Sequence, residues 1–354
     1  MGKQSEASGK IPVMPFSCIV GQEDMKLALK LVYIAPSLGG ALISGQRGTG
    51  KSSAVRAFTY MMYEKLPVTI PINVTPDRVV GGWNVKELMG GNSVWREGLL
   101  EEANKSLLYI DEINLLDDYI INIILDVVST NTLVIQRDDR ATNEKIDGFT
   151  LIGTMNPEEG FLRPQLLDRF GLRVNIKEEE EQGRRLEILK SVLDYDRVRF
   201  EGKSSDYSKN YFSKAKEEDD KLKTALESAK QNFYDVDFTD DIAEKCVLLT
   251  SKLGTEGNRG DYIFALAARA YAALLGDKKV VGKHLRRLAK ISLQHRLPRD
   301  LEENEMAWNQ KQVDIVNEVL PVVEDPVKKD SSSISSTSQL ETDDVSETKS
   351  PFQW

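Results

Sequence analysis

The apolar run Gly40-Ala41-Leu42-Ile43-Ser44 leads directly into Gly45-Gln46-Arg47-Gly48-Thr49-Gly50-Lys51-Ser52, and a helical pattern begins at about Lys51, with Ser53 in its first turn. This stretch occupies every fixed position of G-x-x-x-x-G-K-[ST] and predicts a strand, a glycine loop and a helix in immediate succession. Such a loop needs glycines so that the backbone can approach a ligand closely. Its N–H groups and the positive end of the helix dipole converge on a polyanion. The loop therefore constrains the chain to an α/β fold with a triphosphate site at Gly45, Gln46, Arg47, Gly48, Thr49, Gly50, Lys51, Ser52 and Ser53.

From Phe16 to about Ile176, short β-rich segments alternate with amphipathic stretches, the pattern of a parallel sheet flanked by helices. The expected strands are Ala41 to Ser44, Thr69 to Ile72, Ser106 to Ile110, Thr150 to Thr154 and Arg173 to Ile176. A helix from about Asp24 to Ile34, with Met25, Leu29 and Val32 on one face, precedes the loop. After Glu178 charged helix formers dominate, and Lys214 to Lys221 reads as a solvated face. A second unit from about Phe238 to Val322 is helical throughout, with an apolar stripe of Ala265, Leu266, Ala268, Ala272 and Leu275. Ser331 to Thr348 is serine-rich and acidic, which predicts a disordered tail. The expected organisation is a flexible start (1–15), an α/β domain (16–190), a charged helical connector (191–237), a helical second domain (238–322) and the tail (323–354).

With 354 residues, 40% of them hydrophobic and 29% charged, the chain is long enough for real cores. No run approaches the ~20 apolar residues of a membrane span, and Met1 to Lys10 lacks the apolar core of a secretion signal, so a cytoplasmic location, or its plastid-stroma equivalent, is expected. The formal net charge of −9 argues against a broad nucleic-acid footprint and favours protein partners. Cys18 and Cys246 stand far apart without companion ligands and read as buried apolar side chains.

Leu107-Leu108-Tyr109-Ile110-Asp111-Glu112 is an apolar strand ending in two acids. Beside a phosphate loop, Asp111 and the Ser52 hydroxyl are the expected magnesium ligands, Lys51 reaches the terminal phosphates, and Glu112 can deprotonate an attacking water. A helix cap after a strand is the plainer reading of the two acids. Thr150 to Met155 is a second such strand, and Asn156 at its end could position that water or simply form a turn before Pro157.

The segment Asn156-Pro157-Glu158-Glu159-Gly160-Phe161-Leu162-Arg163-Pro164-Gln165-Leu166-Leu167-Asp168-Arg169-Phe170-Gly171, taken with the loop and Asp111-Glu112, resembles the AAA+ ATPases, and among them the subunit I group of magnesium chelatase. The likeness extends through Phe16 to Asp24, Leu107 to Leu116 and His295-Arg296-Leu297, about Phe16 to Asp300 in all. It implies an AAA+ P-loop module with a parallel sheet flanked by helices, followed by an all-α lid, and an ATPase using ATP and Mg2+. It also implies that Arg169 is an arginine finger inserted into a neighbouring subunit's site, that Arg259 in Gly257-Asn258-Arg259-Gly260-Asp261 reports the γ-phosphate to the lid, and that Ile19 and Val20 line the adenine side. Arg163 is a further finger candidate, or a salt-bridge partner of Glu158 or Glu159.

Two insertions fit the same resemblance. Asp77 to Gly98, with Trp83 and Trp95, corresponds to an insertion in the second helix, and Val134 to Phe149 to a hairpin with Arg137, Asp138, Asp139 and Arg140 at its tip. Without the resemblance, the two tryptophans read more as core than as contact residues. The basic run Lys283-His284-Leu285-Arg286-Arg287 with Lys290, His295 and Arg296 reads as a solvated helix face or a site for an acidic partner. The resemblance implies a homo-oligomeric ring, a hexamer, with a von Willebrand factor A domain subunit and a porphyrin-binding large subunit as partners. A MoxR-type remodeller acting with a von Willebrand factor A protein is the alternative, and a nucleic-acid motor is disfavoured.

Overall fold

The computed structural model describes residues 13–83, 89–90, 95–137, 140–145, 148–201, 206–298 and 308–321. The expected N-terminal segment before residue 13, the tail from 322, and Asp138-Asp139 at the hairpin tip lie outside them.

Helix α1 (Glu23–Ile34) leads to strand β1 (Ala41–Gly45), the phosphate loop and helix α2 (Lys51–Tyr63). Strand β2 (Val68–Ile70) is followed by helix α3 (Pro76–Val80), strands β3 (Gly82–Trp83) and β4 (Trp95–Arg96) and helix α4 (Leu99–Glu102). Strand β5 (Leu107–Ile110), helix α5 (Asp118–Thr130), the β6 (Thr132–Arg137) and β7 (Arg140–Lys145) hairpin, strand β8 (Thr150–Met155), helix α6 (Pro164–Arg169) and strand β9 (Leu172–Ile176) complete the α/β part.

Five strands form one parallel sheet in the order β2-β5-β8-β1-β9. The continuous apolar runs of β1, β5 and β8 are buried throughout, as expected of strands covered on both faces. Alternation along each strand decides which face a side chain serves. Ala41, Ile43, Leu107, Tyr109 and Ile152 join α1 and α2 in one core. Leu42, Leu108, Ile110 and Leu151 face the other way, onto Ile120, Ile121, Ile124 and Leu125 of α5.

Helix α5 starts where the Asp117 carboxylate accepts from Tyr119 N at 2.7 Å and ends at Asn131, which adopts a left-handed conformation (φ 49°). In the following hairpin Thr132–Arg137 pairs with Arg140–Lys145, and Ile146-Asp147 of the expected hairpin lie outside the described residues. In the other insertion, Trp83 and Trp95 pair across β3 and β4 with rings edge to face, centroids 5.6 Å apart. Both are half-buried, and of the two Trp95 also packs against the core that contains α5.

Two long helices follow β9: α7 (Gln182–Glu201), which begins inside the expected α/β domain and crosses the expected boundary at 190, and α8 (Asp206–Gln231). The charged run is not wholly a solvated face: Ala215 is buried, and the half-buried Asp219 carboxylate accepts from the backbone N–H groups of Phe16 (3.1 Å) and Ser17 (2.8 Å). Near its end, Leu226 and Ala229 of α8 enter the same core as α1.

The lid consists of α9 (Asp240–Leu253), α10 (Arg259–Leu275), α11 (Gly282–Leu293) and α12 (Gln310–Val319). The expected stripe of α10 is shifted: Ala268 and Ala272 are buried, but Leu275 is 49% exposed, and Ile263, Phe264 and Ala267 complete the inner face. Cys246 is buried in α9, whereas Cys18 is only partly so. No described helix is long and apolar enough to cross a membrane.

Candidate nucleotide site

Parallel register brings the carboxyl ends of β1, β5 and β8 level: Ser44 lies beside Met155, and Ile110 beside Gly153. The phosphate loop, Asp111 and Asn156 each follow one of these ends, so residues more than 100 positions apart meet at one edge of the sheet. Gly48 and Gly50 adopt positive φ (80° and 81°), and a Cβ built on either would meet nothing within 4 Å. The loop thus rims an open space with backbone a side chain would strain.

Lys51 Nζ donates to the carbonyls of Gly45 (2.5 Å) and Gln46 (2.6 Å) at the mouth of this space. Burial lowers its pKa, against the opposing pull of the Asp111, Glu112 and Glu159 carboxylates. Ser52 Oγ stands 3.4 Å from both carboxylate oxygens of Asp111. Hard oxygen donors of this kind suit magnesium, so the residues present fit that ion.

Two further residues that sequence reasoning did not single out close this group. The fully buried Tyr109 hydroxyl lies 2.8 Å from Asp111 Oδ1, 3.0 Å from Ser52 Oγ and 3.1 Å from Thr154 Oγ1. Thr154 Oγ1 is in turn 2.8 Å from the same Asp111 oxygen. Burial pushes the Tyr109 pKa up to about 12, so the phenol stays protonated. The signal was present in the two-residue period of a strand, which turns Tyr109 and Asp111 to the same side.

Glu112 takes a left-handed backbone conformation (φ 54°), unusual for a non-glycine residue, and its N–H points to Thr154 Oγ1 at 3.4 Å. Arg47 reaches over the loop, with Nη2 paired to Glu159 and 3.7 Å from Glu112 Oε1. Gln46 Nε2 donates to Glu158 at 3.2 Å. Asn156 is buried, and its Oδ1 accepts from Glu158 N at 3.3 Å, so its turn-forming bond is present at the site's edge. Thr49 caps the loop through its own bond to Gln46 O, and Ser53 on α2 is exposed.

Ile19 and Val20 are half-buried, and the segment around them is tied down on both sides. Ser191 Oγ of α7 donates to Cys18 O at 2.6 Å, and Gln22 Nε2 donates to Lys177 O at 3.2 Å. Lys177 follows Ile176, which pairs with Gly45, so this segment lies by the start of the loop.

Arg169 and Arg259 do not join this group within the chain. Arg259 Nη2 donates to Arg169 O at 2.8 Å and borders Gly39, at the amino end of β1. That end lies roughly 13 Å of strand away from Gly45. The Arg169 side chain pairs with Asp126 of α5. Arg163 pairs with Asp118 (Nε to Oδ2, 2.7 Å), not with Glu158 or Glu159.

The basic run of the lid is also not a simple solvated face. His284 is buried and bonded to Asp277, and Arg287 pairs with Asp24 of α1 at 2.6 Å. Arg296 is buried, and its two terminal nitrogens donate to the carbonyls of Asp168 (3.0 Å), Phe170 (2.7 Å), Gly171 (3.2 Å) and Ser292 (2.5 Å). This guanidinium therefore pins the turn that carries Arg169. Gly171 in that turn is required, because a Cβ there would sit 2.0 Å from Leu38 O.

Comparison with known proteins agrees with this geometry. Residues 40–170 match the family model "AAA domain (dynein-related subfamily)", and residues 243–319 match "AAA lid domain". The magnesium-chelatase 38 kDa subunit of Rhodobacter capsulatus is 36% identical over 332 residues, covering 84% of this chain and 92% of that protein. The magnesium-chelatase subunit ChlI homolog of Methanocaldococcus jannaschii is 33% identical over 343 residues, 86% of this chain and 91% of that one. Among solved structures, a putative ATPase from Cytophaga hutchinsonii shares the fold, with a TM-score of 0.60 at 16% identity, covering 87% of this chain and 92% of that chain. An AAA+ core with its lid, matched along most of its length by chelatase ATPase subunits, places this chain in the magnesium-chelatase subunit I family of AAA+ ATPases.

Proposed function

We propose that the chain is the ATP-hydrolysing motor subunit of a magnesium-chelatase-type complex, acting as a hexameric ring in the cytoplasm or a plastid stroma. The observation that carries this reading is the Ser52, Tyr109, Asp111 and Thr154 group at the mouth of the phosphate loop, in a chain whose relatives of similar length are named chelatase subunits.

In this reading the loop N–H groups and Lys51 hold the triphosphate of ATP, Lys51 exchanging its two loop carbonyls for phosphate oxygens. Ser52 and Asp111 hold magnesium, which neutralises charge on the phosphate oxygens when bound. Glu112 takes the proton of the attacking water, and Asn156 orients that water. Ile19 and Val20 flank the adenine. Arg169 supplies positive charge to the site of the neighbouring copy, and Arg259, attached to the same turn, couples that event to the lid. The partners are then a von Willebrand factor A domain subunit and a porphyrin-binding large subunit, through which metal enters protoporphyrin IX.

The test is a pull-down from source cells with the Glu112→Gln protein held in ATP, with mass spectrometric identification of retained proteins. Capture of both a von Willebrand factor A subunit and a porphyrin-binding large subunit is the expected result. Capture of a von Willebrand factor A protein alone replaces the chelatase reading with a MoxR-type remodeller.

A further inference from the structure

Arg169 occupies the last position of α6, and Arg163 immediately precedes that helix. Both reach to α5. Arg169 Nη1 bonds Asp126 Oδ1 in the third turn of α5, and Arg163 Nε bonds Asp118 Oδ2 in its first. Two arginines flanking one short helix are thus matched by two carboxylates roughly 12 Å apart along its neighbour.

The guanidinium is a planar fork of five N–H donors, and one carboxylate at one nitrogen orients the whole plane. The Arg169 side chain stays 33% exposed and that of Asp126 65%. A pair this open contributes little to stability. Its effect is on orientation, because a free arginine side chain samples many rotamers that the bond removes. The backbone below is already immobilised through Arg296 and Arg259, both of which donate to carbonyls of the 168–171 turn. Only the side chain is left to be oriented, and the carboxylate bonded to it is Asp126.

We propose that Asp126 is a positioning residue for Arg169, holding its guanidinium on the face that meets the neighbouring copy's triphosphate. The inference rests on the reading of Arg169 as a finger acting between copies.

The test uses the assembled full chain and four variants: Asp126→Ala, Asp126→Asn, Arg169→Ala and Lys51→Ala. Asp126→Ala is expected to lower kcat about 10- to 100-fold while KM and nucleotide binding stay unchanged, because a misplaced group acts on the transition state. Asp126→Asn keeps an acceptor oxygen without its charge, so its loss is smaller, about threefold. Adding Asp126→Ala to Arg169→Ala costs nothing further, since the two act as a unit.

Mixing Asp126→Ala subunits with Lys51→Ala subunits restores turnover above either alone, because the latter present a well-aimed Arg169 to intact phosphate loops. A defect that mixing does not relieve lies within the subunit's own site and overturns the proposal. Full kcat in Asp126→Ala while Arg169→Ala is inactive also overturns it and leaves the finger reading standing. Full kcat in Arg169→Ala overturns the finger reading itself. Should Asp126→Ala not assemble, Asp126→Asn undergoes the same mixing experiment.

Discussion

The two ends of β1 carry different kinds of chemistry. At its carboxyl end, Gly45 opens the phosphate loop, whose N–H groups and Lys51 are donors, beside the oxygen acceptors of Ser52, Asp111 and Asn156. At its amino end, Gly39 and Gly40 back onto the turn of Arg169, with Arg259 and Arg296 gripping that turn from the lid. A strand of roughly 13 Å separates them, and the Arg169 turn lies at the end away from its own loop. The difference teaches that the phosphate loop and its acids are placed by the sheet alone, while the turn carrying Arg169 belongs to the α/β part but is held in place from the lid.

The largest expected effect separates the two ends outright. Arg169→Ala should reduce ATP turnover by about 10³-fold or more with ATP binding nearly intact, and Lys51→Ala should abolish binding. A mixture of the two should recover activity that neither has. Steady-state ATPase assays on the singles and the mixture check this, and failure of the mixture to recover would break the comparison.

Glu112→Gln should retain ATP binding but slow turnover about 10²- to 10⁴-fold, measured by single-turnover hydrolysis. Unlike the Arg169 defect, this one belongs to the carboxyl end and should not alter the neighbour's site. Tyr109→Phe, which removes the hydroxyl between Ser52 and Asp111, should raise the magnesium concentration for half-maximal activity by about 10-fold. An unchanged magnesium titration would show the tyrosine to be packing only.

The smallest effect is on stability and concerns the amino end. His295 is buried against Phe170 O and Arg296, and burial holds its pKa well below the ordinary value; His284 is lowered for the same reason, opposed by Asp277. Below about pH 6.5 each takes up a proton more readily in the unfolded chain than in the fold. The contribution of the two histidines to stability should therefore be full above that pH and be lost progressively as the pH drops through it, with a slope of at most about 1.4 kcal/mol per pH unit for each. Thermal unfolding across pH 5 to 7.5 measures the slope, and a His295→Gln protein should flatten it.

The carboxyl end was legible in the sequence because its information is local. A glycine loop between a strand and a helix, or two acids after an apolar strand, declares its geometry within a dozen residues. The amino end was not. Arg296 reads as one more charge in a basic run, yet it is buried because Asp168 to Gly171, some 125 positions earlier, present carbonyls to it. Asp219 likewise reads as part of a solvated charge run, and only its contact with Phe16 and Ser17 turns it inward. The expected partner of Arg163 was wrong for the same reason: Asp118 is distant in sequence but faces it from α5.

By itself the sequence determined the strand, loop and helix order, the α/β class, the helical lid and the identity of the residues lining the phosphate loop, because backbone propensity and apolar periodicity act between near neighbours. Only the tertiary structure decided that Tyr109 and Thr154 lock Asp111 to Ser52, that Asp126 takes Arg169, and that three lid residues face the turn behind it. Those pairings follow from parallel register and helix packing, which bring together residues whose separation along the chain carries no trace of their meeting.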